Sequence, residues 1–252
     1  MSTPLMEARG LQLRFGRVAA LDDVAIDIHP GEVVAIVGES GSGKTTLLRV
    51  LSGLMRPDAG AVTYRGQDVL AMPEAARRRL MRTEWGFVHQ NPRDGLRLGV
   101  TAGGNIGERL MAVGARHYGN IRAEATEWLK RVEIDPARMD DIPGKFSGGM
   151  QQRLQIARVL VTRPRLVFMD EPTGGLDVSV QARLLDLIRA LVADLGLAVL
   201  IVTHDIAAAR LLAHRILVMR QGQVVEEGLT DRVLDDPQHA YTQLLVSSVL
   251  AA

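Results

Sequence analysis

Apolar residues fall at alternate positions through Leu11 to Phe15 and again through Val24 to Ile28, the spacing of strands with one buried face. These segments predict an antiparallel pair, with Pro30-Gly31 as the turn out of the second. The pattern then changes. Val33-Val34-Ala35-Ile36-Val37 is apolar at every position, as suits a strand covered on both faces. Leu166-Val167-Phe168-Met169 and Leu197 to Val202 repeat that signature late in the chain, and Trp85 to Gln90 reads as a strand with a polar tip. Helices are expected over Asn105–Ala115, Arg122–Val132 and Gly149–Val161, with a long amphipathic one over Val178–Leu195.

Turn residues mark two hairpins. Arg65-Gly66 separates Ala61–Tyr64 from Gln67–Leu70, and Gln221-Gly222 separates Arg215–Met219 from Gln223–Glu226. A short helix is expected from Pro73 to Met81, and two more over Thr230–Leu234 and Tyr241–Leu250. Asn91 to Asn120 is rich in glycine and poor in branched aliphatics, so it reads as loops around one helix. His117-Tyr118 and Gly119 fall in its connecting loop, where His117 is given no role. The alternation of strands and helices predicts an α/β fold with a mostly parallel core sheet covered on both faces. One domain over 1–252 is expected, with an antiparallel β region, a helical region over about 91–165 and a C-terminal hairpin with helices over about 214–252.

The fully apolar strand at Val33–Val37 leads into Gly38-Glu39-Ser40-Gly41-Ser42-Gly43-Lys44-Thr45-Thr46, and then into Leu47-Leu48-Arg49-Val50-Leu51. A buried strand feeding a glycine-rich turn that opens a helix is the context of a phosphate-binding loop. Glycines 38, 41 and 43 let backbone N–H groups converge on a phosphate with no Cβ in the way. The helix start adds unpaired donors and the positive end of its dipole. Lys44 can reach β- and γ-phosphates, and the Thr45 hydroxyl can ligate Mg²⁺. The pattern implies a nucleoside triphosphate as ligand.

Composition narrows the partners more than the fold. The chain is 47% apolar with a formal net charge of +1, so it is neither disordered nor broadly basic. Lysine occurs only at 44, 130 and 145, and the arginines are scattered apart from Arg77-Arg78-Arg79 with Arg82. That cluster reads as a solvated helix face, and no nucleic-acid partner is expected. The absence of cysteine excludes disulfides and iron–sulfur ligation within the chain and fits a reducing compartment. Met1 to Gly10 has no basic-then-apolar pattern of a secretory signal, and no apolar run is long enough to span a bilayer, so a soluble, cytoplasmic protein is expected.

Other candidate residues stand at strand tips, where open α/β sheets place ligands. Asp170-Glu171 follows an apolar strand; Asp170 can hold a Mg²⁺ shell while Glu171 polarises a water for in-line attack. His204 ends another strand and can face the same crevice, and the neutral amide of Gln90 can bridge metal or water to the mobile segment after it. Phe146-Ser147-Gly148-Gly149-Met150 is a second glycine-rich turn before a helix, serving either as an anion site or as an ordinary cap. Phe15 is either an exposed ring able to stack on adenine or a core residue.

In order and spacing these residues resemble the nucleotide-binding domain of ATP-binding-cassette (ABC) proteins, over the whole chain. Gly38 to Thr45 is similar to the Walker A loop of that family, and Leu166 to Glu171 to its Walker B strand. Gln90 is similar to the Q-loop glutamine, Ser147-Gly148-Gly149 to the signature motif, and His204 to the switch histidine. The resemblance makes Phe15 the adenine-stacking aromatic. It implies a P-loop NTPase fold, Mg²⁺-dependent ATP hydrolysis and a head-to-tail homodimer, in which Ser147 and Gly149 of one subunit close over the γ-phosphate held by Lys44 of the other. Two departures stand out. The usual Leu and Gln of the signature are Phe146 and Met150, and the usual Ser-Ala-Leu-Asp after Walker B is Gly174-Gly175-Leu176-Asp177, with Asp177 kept.

Within the family two subgroups compete. Asp236 to Leu245 and Asp177 to Ala182 resemble oligopeptide and nickel importer ATPases, whose partners are membrane permeases. Arg82 to Gly86, Val88 to Gln90, Ala102 to Arg109, Gly114 to Gly119 and Phe146 to Arg158 resemble the ATPases of phosphonate carbon–phosphorus lyase systems. These lie in the partner-facing part, so the second resemblance is preferred, and it implies a soluble lyase core as partner.

Overall fold

The period-two segments fold as long antiparallel strands, β1 (Met6–Phe15) and β2 (Val18–Ile28), in a computed structural model whose described residues are 3–250. Met1 and Ser2, part of the stretch read for a secretory signal, lie outside the described residues. Leu11, Leu13, Val24, Ile26 and Ile28 bury the inner face of the pair. At the other edge of β1 lies β4, and the four-stranded sheet runs β2-β1-β4-β5. Here β4 spans Ala59–Tyr64, and β5 covers only Gln67–Asp68 rather than Gln67–Leu70. The shortening has a local cause: the Asp68 carboxylate accepts from the N–H groups of Leu70 and Ala71 at 2.8 and 3.1 Å and turns the chain.

The apolar strand β3 (Val33–Val37) is buried at every residue. It runs parallel between β8 (Ala198–Val202) and β9 (Arg215–Arg220), and β10 (Gln223–Leu229) returns antiparallel along β9. Helices α1 (Lys44–Leu51), α8 (Ile206–Leu212), α9 (Thr230–Asp235) and α10 (Ala240–Leu250) accompany these strands. With the four-stranded β2-β1-β4-β5 sheet they form one of two packing units, drawn from the chain up to Arg77 and from Gly196 onward. No residue of α2 (Glu74–Thr83), which carries the arginine cluster, is buried.

The second unit runs from Arg78 to Leu195. In it β6 (Trp85–Val88) lies parallel to β7 (Leu166–Asp170), with Trp85 edge-on to Phe168 at 5.7 Å between ring centres. Helices α3 (Pro92–Gly95), α4 (Ala102–Ala112), α5 (Tyr118–Arg131), α6 (Gly148–Leu160) and α7 (Val178–Leu195) complete it. Helix α4 starts before the expected Asn105, because the Thr101 hydroxyl caps it by accepting from Gly104 N–H at 3.1 Å. Helix α5 likewise starts before Arg122. His117 is its N-cap, its Nδ1 accepting from Asn120 N–H at 3.3 Å, so Gly119 lies in the first turn and His117 has a structural role after all. Among the described residues no helix is long and apolar enough to cross a membrane.

Candidate functional site

In the first unit the chain leaves β3 at Val37 and re-enters regular structure at Lys44, so the six residues Gly38 to Gly43 make the whole turn. Gly38 and Gly43 have φ of 149° and 105°, and a Cβ on them would lie 2.2 Å from the Met219 carbonyl oxygen and 2.3 Å from that of Ala20. Neighbouring backbone therefore presses the loop from one side. A Cβ on Gly41 would meet nothing within 4 Å, so the loop is open there. No side chain caps α1, so its first turn begins with main-chain N–H groups facing the loop. Thr45 and Thr46 are half-buried in that first turn. The Ser42 hydroxyl is buried without a hydrogen-bond partner. Lys44, only 6% exposed, donates from Nζ to the carbonyl oxygens of Gly38 and Glu39 at 2.8 and 2.7 Å. A helix start without a side-chain cap, an unsatisfied hydroxyl, a buried ammonium and an open side fit a phosphate chain.

His204 leaves β8 at the same end of the sheet. Ile36 pairs in register with Val202, so Gly38 and His204 follow neighbouring parallel strands at their carboxyl ends. Asp205 caps α8 by accepting from Ala207 and Ala208 at 2.8 and 3.1 Å, which leaves His204 exposed between strand and helix. Phe15 closes the β1–β2 hairpin opposite Val18 and is 53% exposed, so it is not a core residue.

In the second unit β6 and β7 end side by side. Asp170 is 9% exposed at the end of β7, and Glu171 follows in the left-handed region at φ 42°, a conformation costing a non-glycine residue about 1–3 kcal/mol. Gln90, just past β6, donates from Nε2 to Glu171 Oε2 at 3.2 Å. The Glu171 carbonyl accepts from Gly174 N–H at 2.9 Å, tightening the turn into α7. Ser147 is the N-cap of α6, its hydroxyl accepting from Met150 N–H at 3.3 Å. Ser147 and Gly148 are exposed while Gly149 is buried, where a Cβ would lie 2.6 Å from Val180 Cγ1. Asp177 is exposed ahead of α7, and its carbonyl accepts from Val180 and Gln181 N–H, both at 2.9 Å.

Residues 21–174 match the family described as ABC transporter. Over 250 residues, 99% of both chains, this protein is 67% identical to one of Escherichia coli (strain K12) named as the phosphonates utilization ATP-binding protein PhnK. The chain belongs to the ABC transporter family. It is also 39% identical to a peptide import ATP-binding protein of Brucella ovis, over 98% of this chain and 78% of that one. Among solved structures, the dimeric ATP-binding cassette MJ0796, in a post-hydrolysis state bound to ADP and Pi, aligns with a TM-score of 0.81 at 31% identity, covering 89% of this chain and 98% of that chain. The cbiO1 protein of Clostridium perfringens, part of the ABC transporter complex cbiONQ, aligns with a TM-score of 0.82 at 27% identity, over 93% of this chain and 92% of its own. The fold is thus that of an ABC ATPase cassette.

The departures of this cassette from the usual motifs have local causes. Phe146 is buried with the Arg138 guanidinium 4.4 Å from its ring centre, and the Met150 sulfur accepts from Arg138 Nη1 at 3.5 Å. One arginine holds both unusual signature residues. A Cβ at Gly174 would sit 3.2 Å from Gln90 Nε2 and from the Glu171 carbonyl, tighter than ordinary contact, and Gly175 has φ 74°. Gly174 leaves room for the Gln90–Glu171 contact, and Gly175 supplies the left-handed backbone of the turn. Sequence reasoning missed what fixes Gln90. Gln155, fully buried on α6, accepts from His89 N–H at 2.8 Å and donates to His89 O at 3.1 Å, while Gln152 donates to His89 O at 3.3 Å. The signal was available: three glutamines at 151, 152 and 155, on a helix otherwise rich in apolar residues.

Proposed function

We propose that this cassette binds and hydrolyses ATP in the cytoplasm as the ATPase of a phosphonate-utilization system, associating with a soluble carbon–phosphorus lyase core. For the chemistry, the observation that carries the reading is the contact of Gln90 with Glu171 on a strained turn just past a buried aspartate. Phe15 would stack on adenine. The backbone of Gly38 to Thr46 would cradle the phosphates, Lys44 would neutralise the β- and γ-oxygens, and Glu171 would orient the attacking water. His204 would contact the γ-phosphate. Thr45, Gln90 and Asp170 would hold Mg²⁺ on this reading, and the ion would draw charge from the phosphate oxygens. Ser147, Gly148, Gly149 and Asp177 would complete the site across a homodimer, a reading supported by the dimeric MJ0796 cassette.

For the partner, the full-length 67% identity to the phosphonates utilization protein favours the lyase reading over the importer reading, supported at 39%. The segment Asn91 to Asn120 is the proposed partner surface. The protein is expected to co-purify with soluble lyase subunits from a detergent-free lysate. The double reversal Asp94→Arg, Arg97→Asp should weaken that association and leave basal ATPase intact. Recovery only with permease subunits in the membrane fraction would replace this reading with the importer.

A further inference from the structure

The peptide unit between Gly38 and Glu39 is held from both ends. Its N–H donates to the Tyr241 hydroxyl at 2.9 Å, and its carbonyl accepts from Lys44 Nζ at 2.8 Å. A peptide is planar, so whatever aims the N–H also aims the carbonyl on the opposite side. Gly38 contributes little restraint of its own, since glycine lacks the Cβ that limits rotation in other residues. The direction of the Lys44 acceptor is therefore set in part by a side chain about two hundred residues away in sequence.

Tyr241 is itself fixed. It is 7% exposed in the first turn of α10, with the Arg220 guanidinium 5.0 Å from its ring centre, and its N–H donates to His239 Nδ1 at 3.1 Å. The Glu226 carboxylate on β10 accepts from the N–H groups of Gln238 and His239 at 2.8 and 3.0 Å, tying the approach to α10 onto the hairpin. That hairpin grips the loop at a second point, where Gly222 N–H donates to Ser42 O at 3.0 Å. The C-terminal segment thus clamps the loop at residues 39 and 42.

We propose that Tyr241 is a positioning residue for the phosphate loop, through which the C-terminal helix sets the nucleotide affinity of this cassette. The inference rests on the nucleotide-site reading above. A loop already held in its binding shape loses less conformational freedom when phosphate arrives. Removing the hydroxyl lets the peptide unit rotate, and binding must then order it.

The test compares the full chain with Tyr241→Phe, which keeps the ring against Arg220. Calorimetry with ATP and with ADP is expected to give a Kd raised about three- to tenfold, the worth of one ordinary hydrogen bond. KM should rise by a similar factor while kcat at saturating ATP holds. Without nucleotide, amide exchange should quicken in residues 38–46 and stay unchanged in β3. Arg220→Met should act in the same direction, more weakly. Unchanged Kd and unchanged loop exchange in Tyr241→Phe would overturn the proposal. So would exchange that quickens throughout the unit together with a lowered Tm, which would mark the residue as merely structural. Wild type that fails to bind ATP, or Lys44→Ala that binds it normally, would instead sink the nucleotide-site reading.

Discussion

The phosphate loop and the Gln90–Glu171 tip are built on opposite principles. In the loop the groups proposed to meet nucleotide are mainly main-chain N–H donors, with Lys44 beside them, and the shape is enforced by backbone pressing on backbone, with Met219 O against Gly38 and Ala20 O against Gly43. At the tip the groups proposed to work are side chains, and the backbone is bent to present them, with Glu171 at φ 42° and Gln90 reaching it at 3.2 Å. A site made of main chain tolerates side-chain change at Glu39 or Ser40 but no added carbon at Gly38 or Gly43. A site made of side chains fails when a functional group is altered, yet its fold survives. Binding and turnover should therefore separate.

The sharpest way to break that comparison is Glu171→Gln. Turnover should fall by roughly 10² or more, the worth of one positioned catalytic group, with the Kd for ATP unchanged in calorimetry. Near-normal ATPase would place the base elsewhere. Next is Gly43→Ala, which should do the reverse. The clash with Ala20 O is expected to lower stability by about 2–4 kcal/mol in urea unfolding and to abolish tight ATP binding. A stable, ATP-binding Gly43→Ala would mean that the loop is not held by backbone contact. Gln155→Leu tests the support under the tip. It removes the acceptor of His89 N–H and one of the two glutamine donors to His89 O, costing about 1–3 kcal/mol, and should lower kcat several-fold with little change in Kd. The smallest effect is expected of Ser147→Ala, which removes the α6 cap for about 1 kcal/mol in thermal unfolding. ATP affinity of the isolated subunit should stay as it was, because on the proposed reading that residue would meet nucleotide only across the dimer.

Much of this was legible along the chain. A strand that is apolar throughout, followed by Gly38 to Thr46, allows few other structures, because the glycine spacing and the helix start answer one requirement. The long α7 matched its expected span, Val178–Leu195, since a strong amphipathic period over eighteen residues outweighs local exceptions. Errors gathered where one side chain decided a boundary. His117 capping α5, Thr101 capping α4 and Asp68 ending β5 are contacts of two or three residues that leave no periodic trace.

The sequence by itself determined that a glycine-rich turn joins a buried strand to a helix, which strands are buried on both faces and which polar residues end them. Each of these follows from periodicity or from residue type within a few neighbours. Only the tertiary structure decided that Phe15 is exposed, that Gln90 touches Glu171 and that Tyr241 holds Glu39. Those outcomes depend on residues 81 and 202 positions apart being brought within 3.2 and 2.9 Å by strand pairing and helix packing. Local pattern carries no information about such distances, because a hydrogen bond is specified by position in space and not by separation along the chain.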